Sequence, residues 1–261
     1  MTATSPPESI LSPASAVAAL LGDDNQLRYY AAWWLGKHQV HEACDVLCSA
    51  LKDELYRTEQ GGYPLRRQAA RALGQLKNPQ AVPALLEVLN CKEDLRLREA
   101  AIQALAAIGD SRAVEGLLEL LESQQEQPLE ALIEALGTLQ VWSVHQQIEV
   151  FLAHGSERVQ CAAARYLYLF SQEPQYIERI VKNLTHENMY LRWAAAFDLG
   201  SIGHLQAAQA IINAKVGNSL KLLNLKRILE AVLGSDRSNE EENQKTTRLL
   251  LSAIDDLLIQ L

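Results

Sequence analysis

The 261-residue chain is poor in what secreted, membrane and nucleic-acid-binding proteins are made of. Its 4 cysteines, Cys44, Cys48, Cys91 and Cys161, are scattered and include no Cys-x-x-Cys. They read as small core thiols in a reducing compartment. Cys44 and Cys48 lie one helical turn apart near His38 and His41, but no metal site is expected. Apolar runs stop well short of the ~18–20 residues that span a bilayer, so no membrane insertion is expected. Residues 1–9 carry no basic side chain and two prolines, which does not read as a secretory signal, so a cytoplasmic protein is expected. Positive charge is scarce: the net charge is −8 and the isoelectric point is about 5.3. Phosphate binding needs a basic face, so nucleic acid is not the expected partner. Only 3 phenylalanines stand among many alanines and leucines, which suits close helix packing and not a β-sandwich. Gly-x-Ser-x-Gly, P-loop and Gly-x-Gly-x-x-Gly motifs are all missing.

What the chain does have is one phrase, written seven times. Leu27–Gly36 reads LRYYAAWWLG, and the skeleton Leu, eight residues to Leu, then Gly returns as LRRQAARALG from Leu65. Further copies start at Leu97, Pro128, Val159, Leu191 and Leu225, so the steps are 38, 32, 31, 31, 32 and 34 residues. A fixed period near 32 marks a repeat array. Apolar residues at the first, fifth and ninth positions, such as Leu65, Ala69 and Leu73, form one stripe of a helix. The closing glycine reads as the left-handed residue that ends the helix. A second apolar helix follows most copies, as at residues 81–89 and 113–121, after turns at Asn78-Pro79 and Asp110-Ser111. No pair buries its own face, so the pairs must stack. The predicted fold is all-α: a right-handed α-solenoid of about seven HEAT-like helix pairs.

Along the chain, residues 1–11 read as a disordered lead and residues 12–261 as a single array with caps. Ser12-Pro13 reads as N-cap and first helical residue of a short capping helix. The longest step places an insertion at residues 52–62, and insertions in such arrays map to loops, often on a binding face. Residues 235–246 read as a solvated loop. Leu249–Leu261 is either the closing cap or a partner helix, the cap being favoured.

Function is expected where residues depart from what the repeat needs. The third and seventh positions are mostly polar, yet they hold Tyr29 and Trp33 in the first copy and Trp193 and Phe197 in the sixth. Aromatic stripes of this kind mark binding surfaces, the alternative being packing beneath a cap or loop. The eighth position is small or apolar except at Asp198, a carboxylate that needs a donor. It either faces cationic nitrogens of a ligand or pairs with Arg192 or another arginine. Arg66 and Arg67 stand beside Tyr63 and a Gly61-Gly62 loop, a combination suited to carboxylates on a planar ligand. Arg66 also sits at the second position, where Arg28, Arg98 and Arg192 recur as part of the repeat. The His41-Glu42 and His186-Glu187 pairs are out of register with each other, so no shared metal centre is expected.

Three stretches, LRYYAAWWLGKHQV, GGYPLRRQAARALGQLKNPQAVPALLEVL and NMYLRWAAAFDLGSIG, resemble the E subunit of the heterodimeric E/F-type phycobilin lyases. The resemblance runs over most of Leu27–Gly203 and is weaker in repeats four and five. It implies attachment of an open-chain tetrapyrrole to a cysteine of a phycobiliprotein α subunit, together with an F-type lyase subunit that is itself a HEAT-like solenoid. Two forms are implied. One attaches phycocyanobilin to α-phycocyanin; the other, for α-phycoerythrocyanin, isomerises it to phycoviolobilin on attachment. Phycocyanobilin enters as bound substrate, with no intrinsic cofactor. On this resemblance Trp33, Trp34, Tyr63, Arg66, Arg67 and Trp193 are the expected bilin contacts and Asp198 the expected acid near the pyrrole nitrogens. Tyr29, Trp33, Trp193 and Phe197 are the expected partner interface. The competing expectation is a non-catalytic adaptor or chaperone that binds phycobiliproteins.

Overall fold

The computed structural model describes residues 10–123, 125–234 and 240–260, and all their regular secondary structure is helical. The helices fall into two compact units, residues 1–141 and 142–261. In the first unit these are α1 (Pro13–Leu20), α2 (Asn25–Lys37), α3 (Cys44–Ala50), α4 (Pro64–Leu76), α5 (Val82–Val88), α6 (Leu95–Ile108), α7 (Ala113–Glu122) and α8 (Leu129–Thr138). In the second they are α9 (His145–Glu149), α10 (Glu157–Ser171), α11 (Pro174–Lys182), α12 (Met189–Ile202), α13 (Leu205–Asn213), α14 (Asn218–Gly234) and α15 (Glu240–Leu258). The fold class is a helical solenoid, as the period predicts. The lead expected over residues 1–11 lies outside the described residues except for Ile10, which is buried, and Leu11, whose N–H donates to Ser15 Oγ.

Local signals set the helix starts. Ser12 and Ser15 exchange hydrogen bonds as a capping box, and Pro13 follows in the first helical position. Asp24 accepts the N–H groups of Gln26 and Leu27, and Asp94 accepts that of Leu97. In the first unit, α2, α4, α6 and α8 lie side by side, with α3, α5 and α7 packed against them. Leu65, Ala69 and Leu73 are fully buried, as are Ala31, Leu35, Leu97, Ala101 and Leu105. Each buried leucine contributes roughly 1.5–3 kcal/mol.

The phrase-ending glycines do a different job from the one expected. Gly36, Gly74 and Gly200 lie inside their helices. The left-handed residues that close the helices come later, at Lys77, Gly109, Gln172 and Gly203 among others. A Cβ on Gly36 would stand 2.7 Å from Ala72 Cα, and one on Gly74 would stand 2.9 Å from Ala104 Cα. Glycine at the tenth position and alanine at the eighth position of the next repeat therefore let neighbouring helices touch through their backbones.

In the second unit α10 to α15 enclose one core, with Ile177, Ile180, Leu199, Ile211, Leu225, Ile228 and Leu250 at its centre. The seventh copy is out of register with the others. Its first Leu, Leu225, is buried, but its second, Leu233, is 67% exposed. Asn224, not a residue of the LKRILEAVLG phrase, lies opposite Gly200, where a Cβ would come 2.8 Å from Asn224 Cβ. The helix starts at Asn218, and Leu225 takes the place of a ninth residue, not a first. The loop expected at 235–246 is also revised. Residues 235–239 lie outside the described residues, α15 begins at Glu240, and Thr246 is buried. α15 packs on α14 through Leu250.

Candidate functional site

Helix α2 turns one half of its surface inward and the other half outward. At 100° per residue, Ala31, Ala32, Leu35 and Gly36 share the inner half and are buried. Tyr29, Tyr30, Trp33, Trp34, Lys37 and the C-cap residue His38 share the outer half. Tyr29 and Tyr30 are exposed and the two tryptophans half-buried, so α1 does not cover this face. Tyr30 stacks on Trp33 with centroids 5.2 Å apart. Lys37 Nζ lies 4.5 Å from the Trp33 ring centre, and the His38 ring stacks on Trp34 at 4.0 Å. Neither Lys37 nor His38 joins a salt bridge among the described residues. A cation over an exposed ring is held by only about 0.5–1 kcal/mol. In the sequence His38 is weighed only beside Cys44 and Cys48, and Lys37 is not weighed, because both follow the ten-residue phrase. Their spacing of four from Trp33 and Trp34 was the available signal.

Helix α12 carries the second aromatic face. Met189, Tyr190, Trp193 and Phe197 are all exposed, Trp193 and Phe197 by 42% each. Tyr190 and Trp193 meet edge to face, with centroids 5.9 Å apart. Among the described residues no cation lies over these rings. The inner side of α12 buries Ala195, Ala196, Leu199 and Gly200.

Tyr63, Arg66 and Arg67 come together, but around partners within the protein. Tyr63 is 3% exposed, and its hydroxyl donates to Glu93. Its ring lies between the guanidinium groups of Arg57 and Arg66, at 5.2 and 4.5 Å. Arg66 pairs with Glu54 of the inserted loop at 2.9 Å. Arg67 pairs with Asp94 at 2.8 Å, and the Asp94 side chain is 1% exposed. Asp94 also accepts the backbone N–H groups of Tyr63 and Leu97. Burial opposes its ionisation, but the bonds from Arg67 and the two N–H groups outweigh burial and hold its carboxyl below the usual range. Withdrawing Arg67 would strand a buried carboxylate, at a cost of about 3–5 kcal/mol. The cleft beside this cluster, about 570 Å³, is lined by Arg57, Arg66 and Lys92 but equally by Glu54, Glu87 and Glu93, so it offers no net charge to an anion.

The second-position arginines lock loops. Arg28 donates to Leu20 O and pairs with Asp53, Arg98 donates to Cys91 O and Glu126 O, and Arg192 donates to His186 O and Glu187 O. Asp198 is buried and receives its donor from Arg158 at 2.7 Å, not from Arg192, which joins α10 to α12. Beside it, Cys161 is buried and accepts from Asn183 Nδ2 at 3.1 Å. Burial and the charge of Asp198 push its thiol up to about 11. Burial and Cys44 likewise push Cys48 up to about 12. Neither supplies a ready thiolate. No group of three or more His, Cys, Asp or Glu suited to a metal ion exists among the described residues. No helix there is long and apolar enough to cross a membrane. A further cluster joins Trp142 with Tyr166, the eighth residue of its copy, and with Phe170, on which His145 stacks at 4.6 Å.

A repeat of paired helices, with aromatic outer faces on two of its copies, defines a helical-repeat protein. The family model for HEAT repeats matches residues 59–137, and the one for the PBS lyase HEAT-like repeat matches residues 27–53 and 191–216. The second model thus falls on the two aromatic repeats. Over their full lengths the chain is 68% identical to the bilin biosynthesis protein PecE of Mastigocladus laminosus. It is 70% identical to PecE of Nostoc sp., covering 97% of this chain and 99% of that one. It is 45% identical to the phycocyanobilin lyase subunit alpha of Nostoc sp., covering 95% and 94%. A chain in the solved complex of CpcE and CpcF of phycocyanin lyase from Nostoc sp. PCC7120 superposes with a TM-score of 0.84, at 44% identity and 98% coverage of both chains. The chain belongs to the family of the PecE proteins and the phycocyanobilin lyase alpha subunits.

Proposed function

We propose that this chain is the alpha, or E-type, subunit of a heterodimeric bilin lyase, active with an F-type partner. Its substrate is phycocyanobilin, and its product is a thioether to a cysteine of a phycobiliprotein α subunit. The observation that carries this reading is 68–70% identity to the PecE proteins over essentially the whole chain. In the reaction the acceptor's thiol adds across the bilin's ethylidene double bond. Sulfur bonds to the exocyclic carbon, the neighbouring ring carbon gains a proton, and nothing is oxidised or reduced. The nucleophile belongs to the acceptor, which fits the raised thiols of Cys48 and Cys161. The lyase then contributes binding and orientation, which supply much of the rate and of the stereochemical choice. The relatives bearing the phycocyanobilin-lyase name are 41–50% identical, well below the PecE pair. The cytoplasm is the compartment that suits four free thiols.

Two aromatic faces divide two tasks. The α2 face, with Lys37 and His38 resting on its rings, suits a planar, conjugated dianion. The α12 face, with four exposed apolar residues and no cation on its rings, suits the F-type subunit. In this reading Tyr63, Arg66 and Arg67 brace the inserted loop, and Asp198 with Arg158 braces α10 against α12. Coexpression with an F-type subunit, bilin-synthesising enzymes and an apo α subunit tests the reading, with zinc fluorescence of denatured bands as readout. Covalent bilin that requires both subunits supports it. A soluble complex without covalent bilin points instead to an adaptor.

A further inference from the structure

We infer that Lys37 and His38 are the groups that take the two propionates of the bilin, in place of the arginine pair Arg66 and Arg67. The inference rests on the lyase reading and deepens it. A bilin offers a conjugated plane and two flexible carboxylates, so its site needs ring faces and uncommitted cations close to one another. The chain has many cations, but most near the aromatic residues are already spent. Arg66 is neutralised by Glu54, Arg67 by buried Asp94 and Arg28 by Asp53. Lys37 and His38 join no salt bridge among the described residues. Each rests on an indole of the same helix face, Lys37 on Trp33 and His38 on Trp34. Both head groups are exposed, so they can swing aside without leaving a buried charge behind. Displacement by the bilin then does two things at once. It frees the Trp33 and Trp34 faces for stacking, and it carries the Lys37 ammonium and the His38 imidazole to the edge of the bound plane, where the propionates lie. The exchange of a ring partner for a carboxylate favours charge-assisted hydrogen bonds. It also makes the empty site self-covering, since the same residues shield both indoles when no bilin is bound.

The test uses the intact heterodimer and two ligands, phycocyanobilin as free acid and as dimethyl ester, titrated by bilin absorbance. Lys37→Gln and His38→Gln should each weaken the free acid about three- to fivefold, as for partly exposed ion pairs. Both should leave the ester unchanged. Arg71→Gln, an exposed cation on α4, should move neither ligand. Equal loss for acid and ester would mean that the two residues only pack the face, and would overturn the inference. So would unchanged binding of the free acid, or a matching loss in Arg71→Gln. The two readings fail separately. If wild type transfers bilin while the Lys37 and His38 variants keep full acid affinity, the lyase reading stands and this inference falls. If those variants lose acid affinity selectively while wild type transfers nothing, the inference stands and the lyase reading falls.

Discussion

Helix α2 and the Tyr63–Arg67 cluster contain the same ingredients, aromatic rings and cations beside a turn, and differ in where those groups spend their bonds. Around Tyr63 each of the three arginines has an acid: Arg57 has Glu93, Arg66 has Glu54 and Arg67 has Asp94. On α2, Lys37 and His38 have only ring faces. The first arrangement pairs each arginine with an acid, although Arg66 Nε is buried without a partner; the second holds no ion pair among the described residues. Composition alone does not separate them. What separates them is whether an acid stands within reach, and each acid in the Tyr63 cluster lies 12 to 36 residues along the chain from its arginine. The comparison therefore predicts that changes in the cluster will cost stability, whereas changes on α2 will cost ligand.

The largest effect should come from Asp94→Ala, which strands Arg67 and uncaps α6. It should lower unfolding free energy by about 3–5 kcal/mol in chemical denaturation. The same residue sets an acid limit. Its folded carboxyl sits below the ordinary value, so its contribution is complete above about pH 4 and fades as pH falls through the lowered value. The wild type should lose stability in that window, whereas Asp94→Ala should lose less. A parallel loss in both proteins would contradict the hub assignment. Next, Gly74→Ala should cost about 1–3 kcal/mol by forcing α4 off Ala104. Gly155→Ala, with nothing within 4 Å of the added Cβ, should change thermal stability by less than about 0.5 kcal/mol. Asp198→Asn weakens the charge pairing with Arg158 and should cost about 1.5 kcal/mol. At a temperature where the variant stays folded, its transfer rate and product spectrum should match wild type; a lost rate with an unchanged midpoint would make Asp198 the proton donor after all. The smallest effect is expected from Arg71→Gln, within about 0.5 kcal/mol by the same melting assay.

Much of the fold could be read in the sequence because helix geometry ties spacing to burial. Leu65, Ala69 and Leu73 had to share a face, and a period near 32 had to stack. The glycine role was misread because one residue type serves both left-handed turns and backbone contact, and only the neighbouring helix decides which. The seventh copy was misread because LKRILEAVLG repeats the Leu-to-Leu spacing eight residues out of register, and nothing local marks Asn224 as the residue that meets Gly200. In the candidate site, the exposed stripes on α2 and α12 were legible as departures from a polar pattern. Lys37 and His38 were legible only once the helix was followed past its repeat phrase. The commitment of Arg67 to Asp94 was hidden, because that pair spans 27 residues.

The most direct test of the divided faces is a coexpression series with the F-type subunit, bilin and acceptor, comparing Trp33→Ala/Trp34→Ala with Trp193→Ala/Phe197→Ala. The α2 variant should still copurify with the F-type subunit but bind bilin about tenfold more weakly and attach correspondingly little, each lost ring contact being worth about 0.5–1.5 kcal/mol. The α12 variant should fail to copurify. If the α2 variant loses the partner and keeps bilin affinity, or the α12 variant keeps the partner, the assignment of the two faces is wrong.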